Sequence, residues 1–442
     1  MNGKRRLKMK QLTRLFIPIC LETLFYMLSG MVDTLMLSAV GDYAVGAVGT
    51  ANSYIGIFII MFSIISSGMV SVMTQNIGAG RPGVAYQARQ LGLLFNAVAG
   101  VLMAVFLFSG AGAILRMVGI ADALYEPALI YLKIVGGGCI LNAVIPIFSS
   151  YLRAFGYTKQ PLYATIVGNI ANFVMNAVFL FVLHKGVAGV ATATVISKIL
   201  NLCIVLYFSH KLISAKNSTE RIANKTVLGQ IVKVGLPSAC ETALYNVAMM
   251  LVIRFLNQMD AEGLNVTARS YTATISNFSY CVGAALAQAN AIMTGWHIGA
   301  GELEECDRGT KRAAFVGVCV AVCMETAIVF GSGFIMPLFT DNPEMTALVR
   351  KLLAIDIVLE IGRVTNLVFG QALKTSGDAV FPAVIAAVFM FVFAVGGTWL
   401  FGISMGLMAV GAYIGLASDE CVRAVGMVWR WKTGKWRTKK LV

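Results

Sequence analysis

Runs of about twenty apolar residues follow one another along nearly the whole chain, each long enough to cross ~30 Å of hydrocarbon as a helix rising ~1.5 Å per residue. Only 13% of the 442 residues are charged, 58% are hydrophobic, and the mean hydropathy is +0.78. A soluble domain keeps about 25% charged residues because its surface faces water. A soluble chain of this length would also divide into two or three domains joined by polar linkers. Here a single long polar connection, 210–227, interrupts the apolar pattern. Hydropathy and Pro/Gly punctuation predict an all-α membrane protein with twelve spans, from 12–39 at the start to 405–429 at the end.

The net charge of +14 suits either nucleic acid or a membrane surface, and its placement separates the two. Basic residues crowd the N-terminus (Lys4, Arg5, Arg6, Lys8, Lys10), the central connection (Lys211, Lys216, Arg221, Lys225, with Lys233 just beyond) and the C-terminus (Arg430 through Lys440). With an even number of spans all three lie on one side, the cytoplasmic side by the positive-inside rule. About twenty-five loop and tail Lys and Arg then fall inside and about five outside. A plasma (inner) membrane protein with both termini cytoplasmic follows, with lipid as its surroundings and no nucleic-acid partner. Most of the nine cysteines sit within apolar runs and read as packing residues. No metal-ligand spacing stands out. The basic N-terminus lacks a small-residue cleavage site and reads as a retained first span.

The chain repeats itself. Pro18–Glu22 (PICLE) returns as Pro237–Glu241 (PSACE), an offset of 219, and Ile77–Gly80 returns as Ile298–Gly301, an offset of 221. Leu152, Gly156 and Pro161 return as Leu373, Gly377 and Pro382, again 221 later. The expected organisation is a six-helix bundle over 1–209, a cytoplasmic linker over 210–227 and a second bundle over 228–442. Because each copy holds an even number of spans, the two share one orientation, a parallel repeat about an axis along the membrane normal. Two pseudo-symmetric bundles with a cleft between them form an alternating-access architecture.

At these motifs the sequence resembles the MATE (multidrug and toxic compound extrusion) family. The resemblance rests on Pro18-x3-Glu22, Asp33-Thr34, Gly78–Gly80, Leu152-Arg153-x-x-Gly156-x-Thr158-Lys159-x-Pro161 and Asn169-x-x-Asn172-x-x-x-Asn176. The second half adds Gly235–Pro237, Glu360-x-x-Arg363-x-x-Asn366, Leu373-Lys374-x-x-Gly377-Asp378 and Gly434–Trp436. It covers essentially the whole chain. It implies export of drugs or metabolites coupled to entry of protons or sodium, with Asp33 at the family's coupling position. One departure concerns the seventh span, where the family often carries a deep acidic residue. Here the candidate is Glu241, one turn after Pro237.

An ionised carboxylate at bilayer depth costs at least ~2.5 kcal/mol, so each such residue is a functional candidate. Glu22, Asp33, Glu241, Glu325, Asp356 and Glu360 qualify. Glu22 and Asp33 fall within about 20° of one helix face, ~16 Å apart along the axis. Either serves as a proton acceptor or as a structural carboxyl bonded to backbone or Asn. Asn169, Asn172 and Asn176 share a stripe of the fifth span. They either hydrogen-bond Asp33, as the resemblance implies, or hold helices together. In the tenth span Asp356, Glu360 and Arg363 share a face; Glu360 and Arg363 are spaced to pair, leaving Asp356 less compensated. The first-copy counterparts are Val135, Cys139 and Asn142. Glu420 and Arg423 are expected as a solvated pair at the inner end of span twelve. Pro18 and Pro237 each free a backbone carbonyl and are candidate hinges.

The expected function is a cation-coupled antiporter for organic, cationic or amphipathic small molecules, working as a monomer. The coupling ion is H+ or Na+, with Asp33 or Asp356 as the Na+ position, and no other cofactor. An alternative is a flippase for lipid-linked oligosaccharide or cell-wall precursor, whose cavity would need several basic residues; Lys133 and Lys198 are the extra cations here. An intramembrane enzyme is disfavoured, because His184, His210 and His297 all fall at span ends.

Overall fold

The computed structural model describes residues 2–118, 120–213, 220–260 and 263–442. Lys216, and the side chains of Lys4, Arg5, Arg6 and Lys8, lie outside the described residues. Helices account for nearly all of the described chain. They are α1 (Asn2–Ser38), α2 (Asp42–Gly78), α3 (Pro82–Val118), α4 (Asp122–Gly137), α5 (Cys139–Ala154), α6 (Lys159–Ala177) and α7 (Gly186–Leu212). The second half contributes α8 (Asn224–Asn257), α9 (Leu264–Gly299), α10 (Leu303–Ile335), α11 (Pro343–Ser376), α12 (Val380–Phe389) and α13 (Met408–Lys432). Wider π turns prolong α6 over Val178–Val182 and α12 over Met390–Val395 and Thr398–Ser404.

Among the described residues eight helices are long and apolar enough to cross a membrane, and the bent α4–α5 pair makes a ninth. The expected fourth span over 122–150 is therefore not straight. It breaks at Gly138 with a 41° bend, where three consecutive glycines (Gly136–Gly138) weaken the helix. Its counterpart α11 runs unbroken, with Ile357, Val358 and Leu359 at the equivalent positions. The three other long helices, α9, α11 and α13, are more polar and carry Arg269, Asp356, Glu360, Arg363, Asp419, Glu420 and Arg423. Most of these charged side chains are buried inside the protein, as charges in a membrane-spanning helix must be.

Contacts divide the chain into two units. One comprises Thr13–Gly235, and the other Leu236–Val442 together with Met1–Leu12. The divide falls within α8. The first unit is built on α2, α3, α4, α5 and α7, with an apolar core that includes Phe62, Leu107, Leu115, Leu132 and Val190. In the second, α11 is central, packed against α9, α10 and α13. Val252, Ile275, Leu352, Leu353 and Tyr413 form its core.

The repeat extends to backbone geometry. Gly80 and Gly301 both take φ +75°, ending α2 and α9. Gly156 and Gly377 take φ +85° and +98°, ending α5 and α11. At each end the paired return bonds of a left-handed glycine cap are present. Tyr157 N bonds Leu152 O at 2.9 Å, and Asp378 N bonds Leu373 O at 2.9 Å. Such caps satisfy the last carbonyls of a helix where no next turn exists.

The C-terminal segment folds back over the ends of α10, α11 and α13. Trp436 stacks on Trp431 at 4.2 Å between ring centroids, and Trp431 Nε1 donates to Asp307 at 2.8 Å. Asp378, fully buried in the loop after α11, accepts from Arg430 Nε at 2.7 Å and from Lys439 Nζ at 2.8 Å. Burial alone would raise this carboxyl, but the bonds from Arg430 and Lys439 outweigh it and hold the group below the ordinary carboxylate range. A depressed folded value means the contribution is present above about pH 4 and is lost as pH falls through the folded value. Asp378→Asn is therefore expected to cost about 2–3 kcal/mol near pH 7, since it strands the largely buried Arg430 guanidinium. The gap in melting temperature between detergent-solubilised wild type and variant should narrow as pH is lowered below 4. A constant gap would remove the ion pair as its cause.

Candidate functional site

In the Thr13–Gly235 unit, Asp33 of α1 faces α6. Asn176 Nδ2 donates to Asp33 Oδ1 at 2.8 Å and lies 3.1 Å from Asn172 Oδ1. The three asparagines of the α6 stripe thus divide their work. Asn176 holds the acid, Asn172 orients Asn176, and Asn169 donates to the Phe25 carbonyl of α1 at 2.8 Å. Lys198 of α7 is near enough for its charge to act on Asp33, and its Nζ donates to Asn142 Oδ1 at 2.8 Å. Tyr131 of α4 donates to Asn52 at 3.3 Å and also feels the Asp33 charge. Side chains from α1, α2, α4, α5, α6 and α7 therefore converge. Sequence reasoning named Asp33, Asn172 and Asn176. It did not anticipate Tyr131 or Asn52, since single polar residues in apolar runs carry no spacing signal.

Glu22 is engaged elsewhere, by Arg153 at 2.6 Å near the end of α5. In the second unit Glu241 meets Lys374 at 2.8 Å near the end of α11. These are the same pair twice, since 241 is 22 plus 219 and 374 is 153 plus 221. The Pro18–Glu22 and Leu152–Arg153 motifs are thus partners in space. Neither glutamate is brought to Asp33 or Asp356. Pro18 and Pro237 lie inside unbroken helices. The Arg14 carbonyl that Pro18 cannot bond accepts from Thr158 Oγ1 at 3.4 Å, one way of satisfying a carbonyl freed by proline.

The second unit holds a denser polar group. Glu360 is fully buried and pairs with Arg363, as expected from their spacing. Arg363 also faces Glu420 at 3.6 Å and lies over the Tyr280 ring. Glu420 and Arg423 are not the solvated pair expected. Both are buried, and Arg423 bridges Glu420 at 2.8 Å and Asp419 through bonds of 2.7 and 3.0 Å. Asn366 completes the chain with a 3.0 Å bond to Glu420. The reason is close helix packing. A Cβ at Gly362 would fall 2.7 Å from Cys421 N and 2.8 Å from the Glu420 carbonyl carbon. Only a glycine lets α13 come this near α11, and that approach carries Glu420 under the guanidinium. Asp419 was missed because an Asp beside a paired Glu looks like a solvated helix end.

A cavity of about 270 Å³ opens beside this network, lined by Arg269, Ser276, Asp356, Arg363, Tyr413 and Asp419 among others. Asp356 is 2% exposed, and its Oδ2 lacks a hydrogen-bond partner. It is the least compensated acid of the α11 face, as its spacing from Arg363 predicted. Among the described residues no His, Cys, Asp and Glu group has the geometry to hold a metal ion.

Two helical units, repeated in sequence and backbone, with buried acids inside apolar helices, define a polytopic membrane transporter. The chain belongs to the MATE family: a family model described as MatE matches residues 18–178 and 237–400. It is similar to the uncharacterized transporter YisQ of Bacillus subtilis, at 32% identity over 96% of this chain and 94% of that protein. It is also similar to the probable multidrug resistance protein NorM of Thermotoga maritima, at 20% over 98% and 94%. The fold matches an outward-facing multidrug resistance MATE family transporter of the MOP superfamily, with a TM-score of 0.85 at 20% identity over 97% and 96% of the two chains. It also matches a MOP superfamily transporter from Pyrococcus furiosus described as having a binding pocket of reverse polarity, with a TM-score of 0.83 at 20% identity over 97% of each.

If the Glu22–Arg153 pair is a structural clamp, Glu22→Gln and Arg153→Gln should each cost about 3 kcal/mol, and the double variant no more than either alone. Thermal melts of the three proteins test this. Additive losses would break the pair apart energetically.

Proposed function

We propose that this MATE transporter is a cation-coupled antiporter that exports organic, cationic or amphipathic compounds by alternating access. In this reading the basic helix ends and both termini face the cytoplasm across the inner membrane, and the protein works as a monomer. The observation that carries the reading is Asp33, an acid inside α1 held by the Asn176 amide and not by a contacting cation. An amide donor stabilises the carboxylate without neutralising it, so the group can still take a proton or Na+. Lys198, bonded to Asn142, lends a partial opposing charge. Ion uptake at Asp33 would release the Asn176 bond between α1 and α6, linking ion occupancy to helix position. The similarity to NorM, a probable multidrug resistance protein, supports the substrate class.

The test is efflux of a fluorescent organic cation from inverted vesicles, with proton and sodium gradients imposed separately. Asp33→Asn should insert normally yet fall to the level of empty vesicles under both gradients. Wild-type efflux by that variant would end the assignment. Asp356 is read as the second ion position, lining the other unit's cavity. Asp356→Asn should therefore change the dependence of transport on pH or on sodium, and an unchanged dependence would make Asp356 structural.

A further inference from the structure

Glu325 lies within α10, an apolar helix, and is 0% exposed. Neither of its carboxyl oxygens has a hydrogen-bond partner. The groups that face it come from the two long helices packed on α10: Ser279 from α9, and Asp356, Glu360 and Arg363 from α11. The Ser279 hydroxyl stands beside the carboxyl at a geometry short of a formed hydrogen bond. Arg363 is already committed to Glu360 and Glu420.

An ionised Glu325 would therefore be a buried charge with no donor and two acids for neighbours. Desolvation and like-charge repulsion both oppose that state. A protonated Glu325 removes the conflict. It becomes a donor in a place that holds spare acceptors, since Asp356 Oδ2 and Glu360 Oε2 are both buried without partners. The wider count agrees. Five acids (Glu325, Asp356, Glu360, Asp419, Glu420) gather with three arginines (Arg269, Arg363, Arg423) around this cavity and its wall. The acids outnumber the arginines by two, and Glu325, which does not line the cavity, is the one shut away from solvated ions.

We propose that Glu325 is a proton-binding site, carrying a proton in the folded chain and exchanging it with cavity water through Asp356. In the exchange the O–H bond on the Asp356 carboxyl breaks as the O–H bond on Glu325 forms. The negative charge returns to Asp356, which lines the cavity and is reprotonated from its water. Nothing is oxidised or reduced. The first copy has no such site, because the residue 221 positions earlier is Ala104. The role of this proton in export rests on the antiport reading above, whereas its presence on Glu325 does not.

Infrared difference spectroscopy on the purified full-length protein tests the proposal. Wild type at pH 7 should show a protonated-carboxyl C=O band that is lost in Glu325→Gln, and the band should fade as pH is raised. Asp356→Asn, which removes a neighbouring negative charge, should move that fading to lower pH, and it keeps the test available should the Gln variant misfold. Identical carboxyl bands in wild type and Glu325→Gln would overturn the proposal. So would a wild type that lacks the band and binds radioactive sodium through Glu325. A wild type that shows the band but no gradient-driven efflux would count against the antiport reading alone.

Discussion

A charge placed among lipid-facing helices has no water to meet it, so each one must find an opposite charge, a hydrogen-bond donor, a proton or an ion. The clearest response in this chain is the run Glu360–Arg363–Glu420–Arg423–Asp419, which links α11 to α13. Gly362 makes it possible by letting the two backbones approach. The position of α13 then sets one wall of the cavity, and the commitment of Arg363 to Glu360 and Glu420 leaves Asp356 and Glu325 without a guanidinium of their own. A buried network of this kind adds little net stability, but it fixes one arrangement of its helices.

Duplication supplied one backbone and two chemistries. The glycine caps after α5 and α11, and after α2 and α9, repeat in conformation. The Glu22–Arg153 pair repeats as Glu241–Lys374. Between these fixed ends the copies diverge. Where α11 presents Asp356, Glu360 and Arg363, the α4–α5 segment presents Val135, Cys139 and Asn142. It also bends by 41° at a glycine run that α11 lacks. One unit therefore holds a single acid within an amide network, and the other holds several acids in a guanidinium network.

Much of this is legible in the sequence. The apolar runs, the repeat offset and the family resemblance lead to twelve helical segments if the bent α4–α5 pair is one span. The i, i+3 spacing of Glu360 and Arg363 announces their pairing, and the α6 asparagine stripe announces a polar seam, which the family resemblance directs to Asp33. What could not be read was which distant residue answers each charge. Glu22 read as a second candidate proton acceptor on the face that carries Asp33. Yet Arg153, far along the chain, takes it. Glu420 and Arg423 looked solvated because they sit near a helix end rich in polar residues. Their burial depends on a backbone approach that no local pattern records.

The sequence by itself determined that the chain spans a membrane as two parallel copies of a six-helix unit, and it marked most, though not all, of the acids that lie inside it. Hydrophobicity, helical period and a repeat are properties of neighbours along the chain. The tertiary structure alone decided the state of each acid: Asp33 held by an amide, Glu22 and Glu241 tied to cations, Glu360 and Glu420 sharing arginines, and Asp356 and Glu325 left over. That allocation is set by packing across helices far apart in sequence, because a buried charge answers to what lies within a few ångströms of it and not to what lies beside it in the chain.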